Sequence, residues 1–197
     1  YLVNCSIGEP FMMKEFDDLL DRFGDAGKVL ELTTNGQILT ERNIQKLLGR
    51  DIHLYISLDA ATPETYSRLR NDKFDRILVN LRRLVAAKGG KGKLPLIYLV
   101  FMPMRVNVRE AKAFVELCAE IGVDMLVLRP LNYSEEIGAA DGLSHSSFLK
   151  VSKLLGEPWV SRFVSAEKLV SDFRSRRVAT EIAAFCDESE VAERLSG

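Results

Sequence analysis

The residues able to do chemistry in this chain stand at the ends of short apolar runs. Glu9 lies in Gly8-Glu9-Pro10, directly after the strand-like run 2–5. A Gly-x-Pro turn lets the backbone come close to a ligand while the carboxylate points at it. Four further apolar runs, 29–33, 52–58, 96–102 and 125–129, also end in polar or special residues. Their ends are Thr33-Thr34-Asn35-Gly36, Ser57-Leu58-Asp59-Ala60, Met104-Arg105-Val106-Asn107 and Arg129-Pro130-Leu131-Asn132. A carboxylate binds an ammonium group, arginine binds a carboxylate, and Ser, Asp or Asn bind sugar hydroxyls. The set therefore suits a zwitterionic, hydroxyl-bearing ligand. Singly, each member has a plainer reading: a βα loop for Gly8-Glu9-Pro10, a turn for Thr34-Asn35-Gly36, helix caps for Asp59 and Asn107.

Other chemistries lack their residues. His53 lies inside a strand pattern and His145 in the last third of the chain, neither beside a Ser or Cys in a nucleophile elbow. There is no Gly-x-x-x-x-Gly-Lys-Ser/Thr loop and no Gly-x-Gly-x-x-Gly after the first strand. The three cysteines, Cys5, Cys118 and Cys186, form no Cys-x2-Cys pair, so no local zinc or iron–sulfur motif is present. Cys118 belongs to an apolar helical pattern and is expected to be a buried structural thiol. Cys186 closes an apolar segment before Asp187-Glu188-Ser189-Glu190; core packing is the simpler reading, a lone ligand the other. The strand ends thus look built to hold a cofactor that brings the chemistry with it.

The elements that position these ends follow a regular beat of apolar run, polar turn and amphipathic stretch, the βα signature. Helices are predicted over 11–23, 40–48, 63–88 with a break near Asn71-Asp72, and 108–121, with Thr40, Thr62 and Asn107 at their starts. Strict alternation argues for a parallel sheet, and the periodicity leaves open a doubly wound sheet or part of a barrel. The stretch 88–95, rich in Gly and Lys, reads as a solvated connection at the amino end of a strand, away from the chemical face. Beyond residue 131 the beat stops: helices are expected over 144–155 and 166–177, the latter ending in the basic Arg174-Ser175-Arg176-Arg177. With 197 residues, 47% hydrophobic and 28% charged, the chain can bury a sizeable core. A formal charge of −1 supplies no global field toward nucleic acid or anionic lipid. No run approaches the roughly 18 apolar residues of a membrane span, and the expected location is cytoplasmic. A start at Tyr1 inside a strand pattern is read as a fragment with something preceding it.

Taken in order, the motifs resemble a known family. Gly8-Glu9-Pro10, then Thr33-Thr34-Asn35-Gly36 with Leu39, then Ile56-Ser57-Leu58-Asp59-Ala60 with Tyr66 and Arg70, then Asn80-Leu81, then Val106-Asn107 with Glu110, resemble the core of a radical S-adenosylmethionine enzyme. The likeness covers about residues 1–131 and is nearest to the molybdenum-cofactor-synthesis and peptide-maturase branch. It implies a partial (β/α)6 TIM-like barrel over 1–131, its first βα unit missing, followed by a helical extension over 132–197. It implies that Glu9, flanked by Gly8 and Pro10 and joined by Thr34 and Asn35, contacts the methionyl ammonium group of S-adenosylmethionine. Ser57 and Asp59 would lie near the ribose or carboxylate, Arg70 would pair with the carboxylate, Asn107 would lie near the ribose or adenine, and Arg129 with Leu131 would line the adenine pocket. The implied partners are S-adenosylmethionine, a reductant such as flavodoxin or ferredoxin, and an unidentified substrate, a peptide or small metabolite.

The chain departs from the family at one point: the Cys-x3-Cys-x2-Cys segment that holds the [4Fe–4S] cluster is absent. The expectation is that it precedes Tyr1 in the native protein, with Cys5 on the second strand of the complete barrel. The resemblance then implies reductive cleavage of S-adenosylmethionine to a 5′-deoxyadenosyl radical. A cluster-less barrel serving as a binding or scaffold protein is the rival reading, and a βα-barrel acting on a phosphorylated sugar is a third.

Overall fold

The computed structural model describes residues 2–5, 8–89, 93–104, 106–129 and 162–164. A sheet of six strands runs in chain order: β1 (Leu2–Cys5), β2 (Val29–Thr34), β3 (Ile52–Ser57), β4 (Leu96–Phe101), β5 (Met125–Leu128) and β6 (Arg162–Val164). β1 to β5 pair in parallel, and β6 lies antiparallel on β5. The five expected strands are all present, each end within one residue of its predicted place. β6 falls between the two stretches, 144–155 and 166–177, in which helices were expected. Three residues, Arg-Phe-Val, carry no readable period, and the pairing of Val127 with Phe163 spans a long stretch of chain. The helices expected over 144–155 and 166–177, the boundary at 131, and Cys186 lie outside the described residues.

Alternation along the strands divides the sheet into two faces. On β2, Leu30 and Leu32 are buried, while Glu31 and Thr33 are only partly covered. The parallel register carries the buried side on through Leu54, Ile56, Ile97, Leu99, Phe101 and Leu126. Against it pack all five helices: α1 (Phe16–Asp25), α2 (Glu41–Leu47), α3 (Pro63–Leu69), α4 (Phe74–Ala87) and α5 (Ala111–Ile121). At about 1.5–3 kcal/mol for each fully buried Leu, Ile or Phe, this one cluster is the main source of stability. The other face carries a smaller cluster of Tyr55, Tyr98, Val100 and Val127, with no helical residue. Sequential strand order with every described helix on one face is the winding of a barrel; a doubly wound sheet reverses its strand order and covers both faces. Topology thus makes the choice that periodicity left open.

Two helical expectations change in detail, and a third holds. The predicted helix 11–23 is delayed: Pro10–Met12 makes a single 3-10 turn, Met13 is extended, and α1 starts at Phe16. Residues 63–88 split into α3 and α4 where the break was expected. Residues 108–121 begin as a 3-10 turn before α5. The caps of α2 and α3 form as read: Thr40 Oγ1 accepts from the Asn43 N–H and Thr62 Oγ1 from the Thr65 N–H, each at 3.3 Å.

At its two described ends the 88–95 stretch includes one buried charge. The Lys88 side chain is 0% exposed; its Nζ donates to Asp124 Oδ2 at 2.6 Å, to the Lys93 carbonyl at 2.8 Å and to the Pro95 carbonyl at 3.0 Å. Asp124 Oδ2 also accepts from the Ile97 N–H at 2.7 Å. This buried pair ties the amino ends of β4 and β5, opposite the polar strand ends.

Candidate functional site

After β1 the chain turns through Gly8, whose φ of +82° is a conformation that L side chains rarely adopt. Glu9 is extended, and buried Pro10 opens the 3-10 turn. The Glu9 carboxylate crosses to the end of β2: Thr34 Oγ1 donates to Oε1 at 2.7 Å and the Asn35 N–H donates to Oε2 at 3.1 Å. Thr34 Oγ1 in turn accepts from the Gly36 N–H at 3.1 Å, and Asn35 Oδ1 accepts from the Gln37 N–H at 2.9 Å. Gly36 has φ +74°, and a Cβ there would lie 3.1 Å from the side chains of both Ile56 and Ile77. Asn80 of α4 locks the same loop, its Nδ2 donating to the Gly36 and Gln37 carbonyls at 3.1 and 3.3 Å. Glu9 is half-buried, and among the described residues each of its oxygens accepts from one donor, which leaves lone pairs on a carboxylate held in place.

A second group forms after β3 and β4. Asp59 has φ +59°, sparsely populated for any residue but glycine and best tolerated by Asn and Asp. Its side chain is 1% exposed. Arg70 Nε donates to Asp59 Oδ2 at 3.1 Å, Arg70 Nη2 reaches the same oxygen, and the Met102 N–H donates to Oδ1 at 2.8 Å. Burial pushes the Asp59 carboxyl up from its ordinary value, opposed by the Arg70 charge and these donors. Asn107, 0% exposed, stands at the N-cap position of the 3-10 turn as expected, but its side chain makes no capping hydrogen bond. Its Nδ2 donates to the Asp59 and Met102 carbonyls, both at 2.8 Å, and its Oδ1 accepts from the Met104 N–H at 2.7 Å. A buried amide satisfies its own polar atoms first, and here they are spent pinning two strand ends together. Asp59 likewise does not cap α3, where Thr62 does. Glu110 braces that helix start: Oε2 accepts from the Ala61 N–H at 2.7 Å and Oε1 from the hydroxyls of Thr62 and Thr65 at 2.6 Å.

Ser57 and Arg129 occupy the sheet face that no described helix covers. Ser57 closes β3, half-buried. Arg129 follows β5, its N–H donating to the Phe101 carbonyl at 3.1 Å and its guanidinium carbon 5.6 Å from the centroid of the Tyr55 ring. Tyr55 Oη donates to Glu31 Oε1 at 2.7 Å. Neither Glu31 nor Tyr55 was among the expected site residues, although a carboxylate alternating with Leu30 and Leu32 marks a second strand face. Leu131 lies outside the described residues. The structure therefore joins Gly8, Glu9, Pro10, Thr34 and Asn35 in one group and Asp59, Arg70 and Asn107 in another. Ser57 and Arg129 stand at carboxyl ends two strands apart in the same sheet, after β3 and β5. Cys118 is fully buried among apolar side chains, and burial pushes its thiol up, so it is a structural residue and no cluster ligand.

Parallel strands in sequential order, described helices on one face and polar groups at the carboxyl ends define a TIM-barrel-like α/β protein. This chain belongs to the Radical SAM superfamily, whose family model matches residues 2–118, more than half of it. It is 25% identical over 138 residues to a probable GTP 3',8-cyclase of Methanocaldococcus jannaschii, covering 68% of this chain and 44% of that protein. The chain thus spans less than half the length of that curated relative. Among solved structures it resembles TYW1 with a lysine-pyruvate adduct bound, with TM-score 0.62, 21% identity, and coverage of 84% of this chain and 57% of that one. It also resembles Streptococcus suis SuiB bound to S-adenosylmethionine, with TM-score 0.65, 16% identity, and coverage of 89% and 35%.

Proposed function

We propose that this chain is the S-adenosylmethionine-binding core of a radical enzyme whose [4Fe–4S] ligands lie outside it. The observation that carries the reading is the Glu9 carboxylate, fixed across two strand ends by Thr34 and Asn35 with lone pairs to spare. A carboxylate so held suits the cofactor's ammonium group. Arg70, aimed by Asp59, takes the cofactor's carboxylate. Both Asp59 oxygens are already engaged, so Asp59 acts by orienting Arg70, and Ser57 is left to meet the ribose. Asn107 contributes by fixing the loops after β3 and β4. When bound and reduced, S-adenosylmethionine supplies a 5′-deoxyadenosyl radical that abstracts hydrogen from a substrate. The described residues do not fit a cluster: Cys118 is sealed in the core, and no three His, Cys, Asp or Glu among them converge as metal ligands.

The substrate class is wider than one chemistry. The curated relative is named for GTP, and SuiB has been solved bound to its precursor peptide SuiA. The test uses the full-length native protein, reconstituted anaerobically with iron and sulfide and then reduced. Release of 5′-deoxyadenosine together with methionine is expected. S-adenosylmethionine bound but never cleaved, under any reductant, would overturn the enzymatic reading in favour of a binding or scaffold role.

A further inference from the structure

Arg129 is a cation that the cofactor does not need. S-adenosylmethionine has a single anionic group, its carboxylate, which the reading above gives to Arg70; the sulfonium and ammonium would repel a second guanidinium. Arg129 also stands two strands from β3, on the sheet face that no described helix covers. Its position is fixed twice. The main chain is tied to β4 through the Phe101 carbonyl at 3.1 Å, and the guanidinium rests 5.6 Å from the Tyr55 ring centroid. Tyr55 is itself anchored, by Oη donating to Glu31 Oε1 at 2.7 Å and by an edge-to-face contact with Tyr98 at 5.0 Å between centroids. A guanidinium laid over a ring keeps its N–H donors at its rim. Among the described residues no carboxylate takes them, although Arg129 is only partly exposed. A cation with a fixed plane and partial burial, whose N–H donors no carboxylate among the described residues takes, is the arrangement that grips a planar carboxylate or a phosphate through two hydrogen bonds.

We propose that Arg129, with Tyr55 as its platform and Glu31 as the anchor of that platform, binds an anionic group of the substrate, a carboxylate or a phosphate. The inference rests on the proposed function and moves Arg129 from the adenine pocket, where the family resemblance would put it, to the substrate. Tyr55 and Glu31 are positioning residues, acting through Arg129.

The probes are pyrophosphate and succinate, titrated calorimetrically into the full native protein saturated with S-adenosylmethionine. The wild type should bind at least one of them. Arg129→Gln should weaken that binding by about tenfold or more, the worth of one charge-assisted contact. Tyr55→Leu should weaken it by about threefold, the loss of a partly exposed cation–π platform, whereas S-adenosylmethionine affinity should stay within about twofold in both variants. Binding of pyrophosphate points to a nucleotide-like phosphate, and binding of succinate to a carboxylate-bearing peptide or metabolite. The proposal is overturned if neither probe binds the wild type more tightly than the Arg129→Gln protein. It is equally overturned if that variant loses the cofactor instead, which would return Arg129 to the adenine pocket. Anion binding that persists in a protein unable to cleave S-adenosylmethionine would uphold Arg129 and count against the proposed function alone.

Discussion

Glu9 shows how one side chain acquires direction. Its carboxylate is oriented by a hydroxyl and a backbone N–H from the next strand, so removing its charge and removing its orientation are separable changes. Glu9→Gln keeps the shape and loses the ion pair, and should raise the dissociation constant for S-adenosylmethionine by about tenfold or more. Thr34→Val deletes only the hydroxyl donor and should cost less, about threefold to tenfold, since a single hydrogen bond is worth about 1 kcal/mol. Equilibrium dialysis with labelled cofactor measures both. Equal affinity in wild type and Glu9→Gln would remove Glu9 from the ammonium site. The identity of Glu9 as a site candidate was legible from its place after an apolar run. The roles of Asp59 and Asn107 were not, because a buried polar side chain is claimed by whichever neighbours fold against it, and those neighbours come from β4 and α3.

At the scale of elements, the loops after β3 and β4 behave as one piece. Glu110, from the start of α5, receives three donors from the α3 start, and Asn107 ties the Asp59 carbonyl to Met102. A carboxylate at a helix N-terminus also meets the positive end of the helix dipole. Glu110→Ala leaves the Ala61 N–H and two hydroxyls without that partner, and should lower stability by about 2 kcal/mol, the range for hydrogen bonds to a charged group. Urea unfolding of the native protein gives the value. A loss below about 0.5 kcal/mol would mean that water replaces the brace at no cost. Local sequence predicted these elements well, because Thr40 and Thr62 act within four residues of themselves. It misjudged the start of α1 and the use of Asn107, where partners outside the local window decide.

For the molecule as a whole, the two ends of the barrel wall differ in purpose. The carboxyl ends gather polar groups, some buried and some half-buried, whereas the amino ends of β4 and β5 are joined by the sealed Lys88–Asp124 pair. Asp124→Ala strands a buried ammonium and should destabilise the protein by about 3–5 kcal/mol. Lys88→Met combined with Asp124→Leu removes both charges and should recover most of that loss, as apolar replacements of buried ion pairs commonly do. Thermal and urea unfolding of the single and double variants supply the comparison; a double variant as unstable as Asp124→Ala would show that backbone hydrogen bonds to Lys88, and not the pairing of charges, carry the contribution. Among the described residues no helix is long and apolar enough to cross a membrane.

The sequence by itself determined the βα beat, the strand positions to within a residue, and the polar strand ends from which a family could be read. These depend on period, turn chemistry and short-range capping, all of which lie within a few residues of one another. Only the tertiary structure decided that every described helix covers one face, that a sixth strand closes onto β5 antiparallel, that Asp59 aims Arg70, and that Glu31, Tyr55 and Arg129 stack on the opposite face. Each of those facts is a register or a contact between residues far apart in the chain, and a linear pattern cannot specify which strand end a side chain will meet until the sheet has placed them side by side.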